Sequence, residues 1–169
     1  MKRNGMHALD FHGPALVGGG LTYLAGTRYM NRVVALCFSP YVGFLSAEEI
    51  DWHAARFDKV GATLLIVSSG ARPLHRLWIG HPDKPNTPIL EDLCGRLHRL
   101  FGVAARERSA RCHTFMIDRN GILRLRVAHD FVDNDLETLR KIVGLTDIRR
   151  ANAEPDHEVI PKKADYVPV

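Results

Sequence analysis

The sequence predicts one α/β domain, built on a mixed sheet with helices on both faces. Three observations carry this. First, RVVALCF (32–38) and ATLLIVSS (62–69) are continuous apolar runs rich in β-branched residues, as strands buried on both faces are. Second, SAEEIDWHAARFDKVG (46–61) lies between them with helical spacing, and a strand–helix–strand unit demands parallel pairing. Third, TFMID (114–118), RNG (119–121) and ILRLRVA (122–128) read as a β-hairpin with an Asn-Gly turn, which adds an antiparallel edge.

Residues 1–31 carry weak signals: Gly18-Gly19-Gly20 is a turn, and LTYL (21–24) is a short strand candidate. Pro40 ends the first central strand. In the helix that follows, Ile50, Ala54 and Phe57 share one face. Ser46 with Glu49 fits a capping box, and Gly61 closes the far end. RPLHRLWIG (72–80) reads as a shorter helix with Pro73 in its first turn. HPDKPNTP (81–88) is a Pro-rich loop. Leu90, Leu93, Leu97 and Leu100 form a stripe that predicts a helix over 90–103. DNDLETLRKIVG (133–144) reads as the last helix, with an acidic start that complements the helix dipole. The domain is expected to span 1–144, and the Pro-rich, charged segment 145–169 to be an irregular tail.

The 169 residues are 46% hydrophobic and 25% charged, enough apolar material for one sizeable core. The net charge of +4 is mild and its Lys and Arg are scattered, which argues against nucleic acid as a partner. No continuous apolar stretch is long enough to cross a membrane, and MKRNGMHALDF lacks the apolar run of a signal peptide. The three cysteines, Cys37, Cys94 and Cys112, include no CxxC. A reducing cytoplasm is the expected compartment, with neither a disulfide framework nor a zinc ribbon. The nine histidines show no ligand spacing with Cys or carboxylates, so no metal and no cofactor is expected. Trp52 and Trp78 read as packing or interface residues.

The element order is the layout of a thioredoxin-like fold, and five stretches sharpen it. ALDF (8–11), RVVALCFSP (32–40), FLSAEE (44–49), TPILEDLCGRLHRLFGV (87–103) and TFMIDRNGILR (114–124) occur in the order and form in which peroxiredoxins of the AhpC/TSA group carry their signatures. The sequence resembles that family over residues 8–144.

The resemblance implies hydroperoxide reduction with a thiol as the final reductant, and a homodimer. The family motif is Pro-x-x-x-Thr/Ser-x-x-Cys, with an Arg reaching in from the strand before the hairpin. Its thiolate is the nucleophile, activated by a helix N-terminus and a guanidinium. Carried over residue by residue, Pro40 matches the Pro and Glu49 matches the Glu that follows the cysteine. Gly43 stands where the hydroxyl-bearing Thr belongs, Ser46 occupies the peroxidatic cysteine's place, and the loop is one residue short. Counting back three from Phe115 gives Cys112 at the Arg position. Arg111 is one residue off, which on a strand means the opposite face.

Two readings of position 46 follow from the residue itself. As a nucleophile Ser46 needs an adjacent base, and His53 lies two turns along the helix; as a helix cap it needs only Glu49. A serine standing for a natural cysteine or selenocysteine is the third. Cys112 is either a relocated redox thiol, with Arg106, Arg108, Arg111 and His113 near in sequence, or a thiol filling the space of the lost Arg. Cys37 reads as core and Cys94 as a helix-side thiol without a role. The expected function is a peroxiredoxin-like protein serving a binding or assembly role with an unidentified protein partner. The alternative is a thiol-dependent hydroperoxide reductase that uses Cys112, or one whose natural residue 46 is Cys or selenocysteine.

Overall fold

The computed structural model describes residues 7–40, 42–68, 78, 81–105, 111–129, 141 and 165–167. Among the described residues, eight strands form a single mixed sheet: β1 (His12–Val17), β2 (Gly20–Ala25), β3 (Val33–Ser39), β4 (Ala62–Ser68), β5 (Ile89–Glu91), β6 (Cys112–Ile117), β7 (Leu123–His129) and β8 (Asp165–Val167). Their order across the sheet is β2-β1-β5-β4-β3-β6-β7-β8.

The two apolar runs are central, as expected. Every residue of β3 is buried, and β3 pairs with β4 in parallel from Val33↔Ala62 to Ser39↔Ser68. Helix α1 (Ala47–Lys59) makes the connection. The hairpin is also present: β6 pairs antiparallel with β3 on one side and with β7 on the other. Its turn is held by Asp118, whose Oδ1 accepts from the backbone N–H of Asn120 (2.8 Å) and of Ile122 (2.9 Å). Gly121 takes the left-handed conformation there, with φ 72°.

Alternation along the strands creates two cores. Val33, Ala35, Cys37, Leu64 and Ile66 face α1, meeting Ile50 and Phe57. Val34, Leu36, Phe38, Leu65 and Val67 face the other way, against Phe11, Leu97, Phe115 and, at the margin, Phe101. Leu97 belongs to α2 (Arg96–Leu100), so a helix covers each face.

Three expectations need correction. The helix predicted over 90–103 is instead a strand, a turn and five helical residues. Ile89 and Leu90 pair in parallel with Ile66 and Val67 and antiparallel with Leu16 and Ala15. Leu90 is therefore buried from a strand, while Leu93 is 44% exposed, so the leucine stripe was not one helical face. Gly95, at φ 67°, breaks the chain before α2 begins. Second, residues 1–31 hold more than the turn and strand expected there: the turn lies at Gly18-Gly19, with φ of 54° and 81°, LTYL lies in β2, and an unexpected β1 completes a hairpin. Pro14 disguises β1. It is tolerated because pairing with β5 involves only Ala15 and Leu16, leaving no ladder bond for the missing N–H to donate. Third, the segment expected to be an irregular tail supplies β8, an edge strand antiparallel to β7. The rest of that tail lies outside the described residues, as do most of the helices expected over 72–80 and 133–144. Trp78 is helical and buried.

Candidate active site

The loop that leaves β3 passes Pro40, makes a 3-10 turn over Val42–Phe44, and delivers Ser46 to the N-cap of α1. Phe44 in that turn is 86% exposed. Ser46 and Glu49 close a complete capping box. Ser46 Oγ accepts the Glu49 N–H at 3.1 Å, and Glu49 Oε2 accepts the Ser46 N–H at 2.7 Å. The Ser46 hydroxyl also donates to Glu49 Oε2 at 2.9 Å. These bonds from the Ser46 backbone and side chain hold the Glu49 carboxyl below its usual range, with a smaller contribution from His53. The hydroxyl is committed to helix capping, and its acceptor is a carboxylate kept ionised. Gly43 lies within the 3-10 turn and, lacking a hydroxyl, cannot align a peroxide.

The other candidates sit elsewhere. Cys112 opens β6, fully buried on the α1 face, and its thiol donates to Ser39 Oγ at 3.6 Å. Arg111 precedes the strand, half-buried, and its Nη2 donates to the Ala128 carbonyl at 3.3 Å. Ser46 bonds Glu49, Cys112 bonds Ser39, and Arg111 bonds the Ala128 carbonyl. Arg106 and Arg108 lie outside the described residues. His113, next to Cys112, pairs with Phe38 in register and so faces the opposite side of the sheet.

A groove of about 670 Å³ opens beside the start of α1, lined by Leu45, Ser46, Asp51, Trp78, His81 and Lys84. Asp51 fixes its rim. Its carboxylate accepts from the Asn86 N–H, from Asn86 Nδ2, and from the N–H and Oγ1 of Thr87, at 2.7 to 3.1 Å. Burial pushes the Asp51 carboxyl up, but these bonds together outweigh it and hold it below its usual value.

Sequence reasoning missed a polar cluster in the α1-facing core. Thr114 Oγ1 and His129 Nε2 are 2.8 Å apart. Hydrogen bonding to Cys112, and less so to His129 and Thr114, lowers the Cys37 thiol well below its usual value, with burial opposing it. Cys37 was rightly placed in the core, but its company depends on the β3–β6 register, which no local pattern reports. Among the described residues, no three His, Cys, Asp or Glu side chains are placed to hold a metal ion.

Comparison with known proteins agrees with this architecture. Peroxiredoxin-2 of Rattus norvegicus is 32% identical over 137 residues, spanning 75% of this chain and 69% of the relative. The chain belongs to the peroxiredoxin family. Peroxiredoxin-2 of Mus musculus is 31% identical over the same shares. No protein-family model matches the sequence. Among solved structures, Enterococcus faecalis AhpC superposes with a TM-score of 0.67 at 19% identity, over 90% of this chain and 95% of that one. The mitochondrial 2-Cys peroxiredoxin of Plasmodium falciparum gives 0.61 at 20% identity, over 89% and 95%. These two likenesses establish the thioredoxin-like fold. Within a peroxiredoxin frame, Ser46 is the residue that a helix N-terminus presents, and Cys112 is a thiol enclosed by the sheet. No helix among the described residues is long and apolar enough to cross a membrane.

Proposed function

We propose that this member of the peroxiredoxin family does not reduce hydroperoxides at position 46 and serves instead as a binding or assembly module. The observation that supports this most is the capping box. A peroxidase needs a thiolate at that helix start, a hydroxyl to align the peroxide and a guanidinium to stabilise charge. Here the residue at the helix start is a serine whose hydroxyl is bonded to Glu49 in both directions. Serine needs an adjacent base to act as a nucleophile, and its oxygen has no counterpart of the sulfenic acid. The groove beside it, polar and rimmed by Asp51 and Lys84, is the natural place for a partner to sit. The family supports a homodimer, and three cysteines without a CxxC support a reducing cytoplasm.

A second reading is favoured by one observation, the burial of Cys112 on the same sheet face as Cys37. On that reading the protein is a thiol-dependent hydroperoxide reductase whose thiol has moved. A third is that Ser46 stands for a natural cysteine or selenocysteine.

The Ser46→Cys variant tests the main reading. Consumption of hydrogen peroxide in the presence of a dithiol reductant should stay at the level of the unsubstituted protein, since Gly43 and the displaced Arg111 leave a new thiol without its helpers. Restoration of rapid turnover by that one change would show the pocket to be intact and would overturn the proposal.

A further inference from the structure

Among the described residues, β2 is the outermost strand on its side of the sheet and pairs with β1 alone. Gly18 and Gly19 both have positive φ, 54° and 81°, so the connection is a two-residue turn of the primed kind. In such a hairpin the closing pair, Val17 and Gly20, exchanges both backbone hydrogen bonds. The pairs Ala15–Thr22 and Gly13–Leu24 follow by alternation. Gly20, Thr22 and Leu24 therefore direct their N–H and C=O groups at β1. Those of Leu21 and Tyr23 point the other way, to the free edge.

The side chains of the same two residues are also uncovered. Leu21 is 60% exposed and Tyr23 62%. They share one face of the strand, the face on which Leu16, paired with Leu21, joins the α1-side core. The Tyr23 ring is held: its hydroxyl lies 2.5 Å from His12 Nδ1, and the two ring centroids are 5.4 Å apart. An aromatic ring fixed in advance loses little freedom when it is covered.

Natural edge strands are guarded by a charge, a proline or a bulge. GLTYLA has neither charge nor proline, and its register with β1 is unbroken. On the far side of the sheet, by contrast, β7 carries Arg124 and Arg126 and is covered by β8 of the same chain.

We propose that β2 is an assembly edge, which pairs antiparallel with the β2 of a second copy about a two-fold axis at Thr22. This rests on the assembly reading above and gives it a surface. The strand itself points to the occupant. The two-fold sets Leu21 opposite the partner's Tyr23, and Tyr23 opposite the partner's Leu21. Both are hydrogen-bonded pairs, so the outward backbone groups of both residues are satisfied on both copies. Each exposed apolar side chain meets another directly across the seam. The strand carries no charge, so a second copy meets no like charge along it. Thr22 meets the partner's Thr22 on the axis as a non-hydrogen-bonded pair, the closer kind. One short strand is a small interface, so the association is weak and grows with concentration.

Sedimentation of the full-length, fully reduced protein from micromolar to millimolar concentration is the test. The expected mass rises from that of one chain toward that of two. Leu21→Lys and Tyr23→Lys, both at exposed positions, should each raise the dissociation constant at least about tenfold. The Leu21 and Tyr23 amides should exchange more slowly as concentration rises, while the Thr22 amide, already bonded to β1, should not change. Thr22→Cys should form a disulfide-linked dimer in air. It is made in a Cys94→Ser background, since Cys37 and Cys112 are buried. Thr27→Cys, exposed but far from the axis, should link much more slowly. A single chain at every concentration, a dimer indifferent to Tyr23→Lys, or equal linking through Thr22→Cys and Thr27→Cys would each overturn the proposal. If a lysine variant fails to fold, amide exchange in the unsubstituted protein decides the matter. A dimer formed through another surface sinks this inference alone and leaves the assembly reading standing.

Discussion

Ser46 Oγ and Glu49 Oε2 lie 2.9 Å apart, and each also accepts the other residue's backbone N–H. On the proposed reading, the position that a peroxiredoxin gives to a reacting sulfur is here given over to the first hydrogen bonds of α1.

If capping is the work of Ser46, Ser46→Ala should destabilise the fold by about 1 kcal/mol, and Ser46→Asp by much less, in urea unfolding. A serine idle in a vacated site would show neither difference.

Acid should weaken the same cap. Glu49 titrates below its usual value in the folded protein, so its contribution is complete above the ordinary carboxylate range. It is lost as pH falls through the lower folded value. The difference in stability between the protein and Glu49→Gln should therefore shrink on acidification. A difference constant from neutral pH to pH 3 would contradict this.

Asp51 should hold the loop at Asn86 and Thr87 against α1. Asp51→Ala removes the acceptor of two backbone N–H groups and two side-chain donors. After allowance for its partial exposure, a loss of about 1–2 kcal/mol is expected. Faster hydrogen exchange at the amides of Asn86 and Thr87 should accompany it, with β4 unchanged.

The buried pair Asp92–His98 should matter more. Asp92 Oδ1 accepts the Leu97 N–H at 3.1 Å, and Oδ2 accepts the His98 N–H at 3.0 Å and meets His98 Nδ1 at 2.5 Å. Burial raises the Asp92 carboxyl, yet the bonds from His98 and Leu97 outweigh it and hold it below its usual value. Its stabilisation is thus present at neutral pH and lost as pH falls through the folded value. Asp92→Ala leaves those donors buried and should cost about 2–4 kcal/mol in denaturant unfolding.

What could be read from the sequence was local. The capping box is a four-residue pattern, and β3, α1, β4 and the hairpin each announce themselves by their own periodicity. What could not be read depends on partners distant in the chain. Ile89–Glu91 is too short to show a strand period, and only β4 and β1 on either side make it one. Leu90, Leu93 and Leu97 imitate a helical stripe because the left-handed turn at Gly95 is invisible to spacing. The grouping of Cys37 with Thr114, and of Cys112 with His129, exists only once β3, β6 and β7 are in register.

The most direct test is the rate at which the fully reduced, unsubstituted protein consumes hydrogen peroxide when a dithiol reductant is present. The account predicts consumption no faster than that of ordinary free thiols, with no component that depends on residue 46. Rapid, repeated turnover would contradict it and return the chain to the working peroxidases.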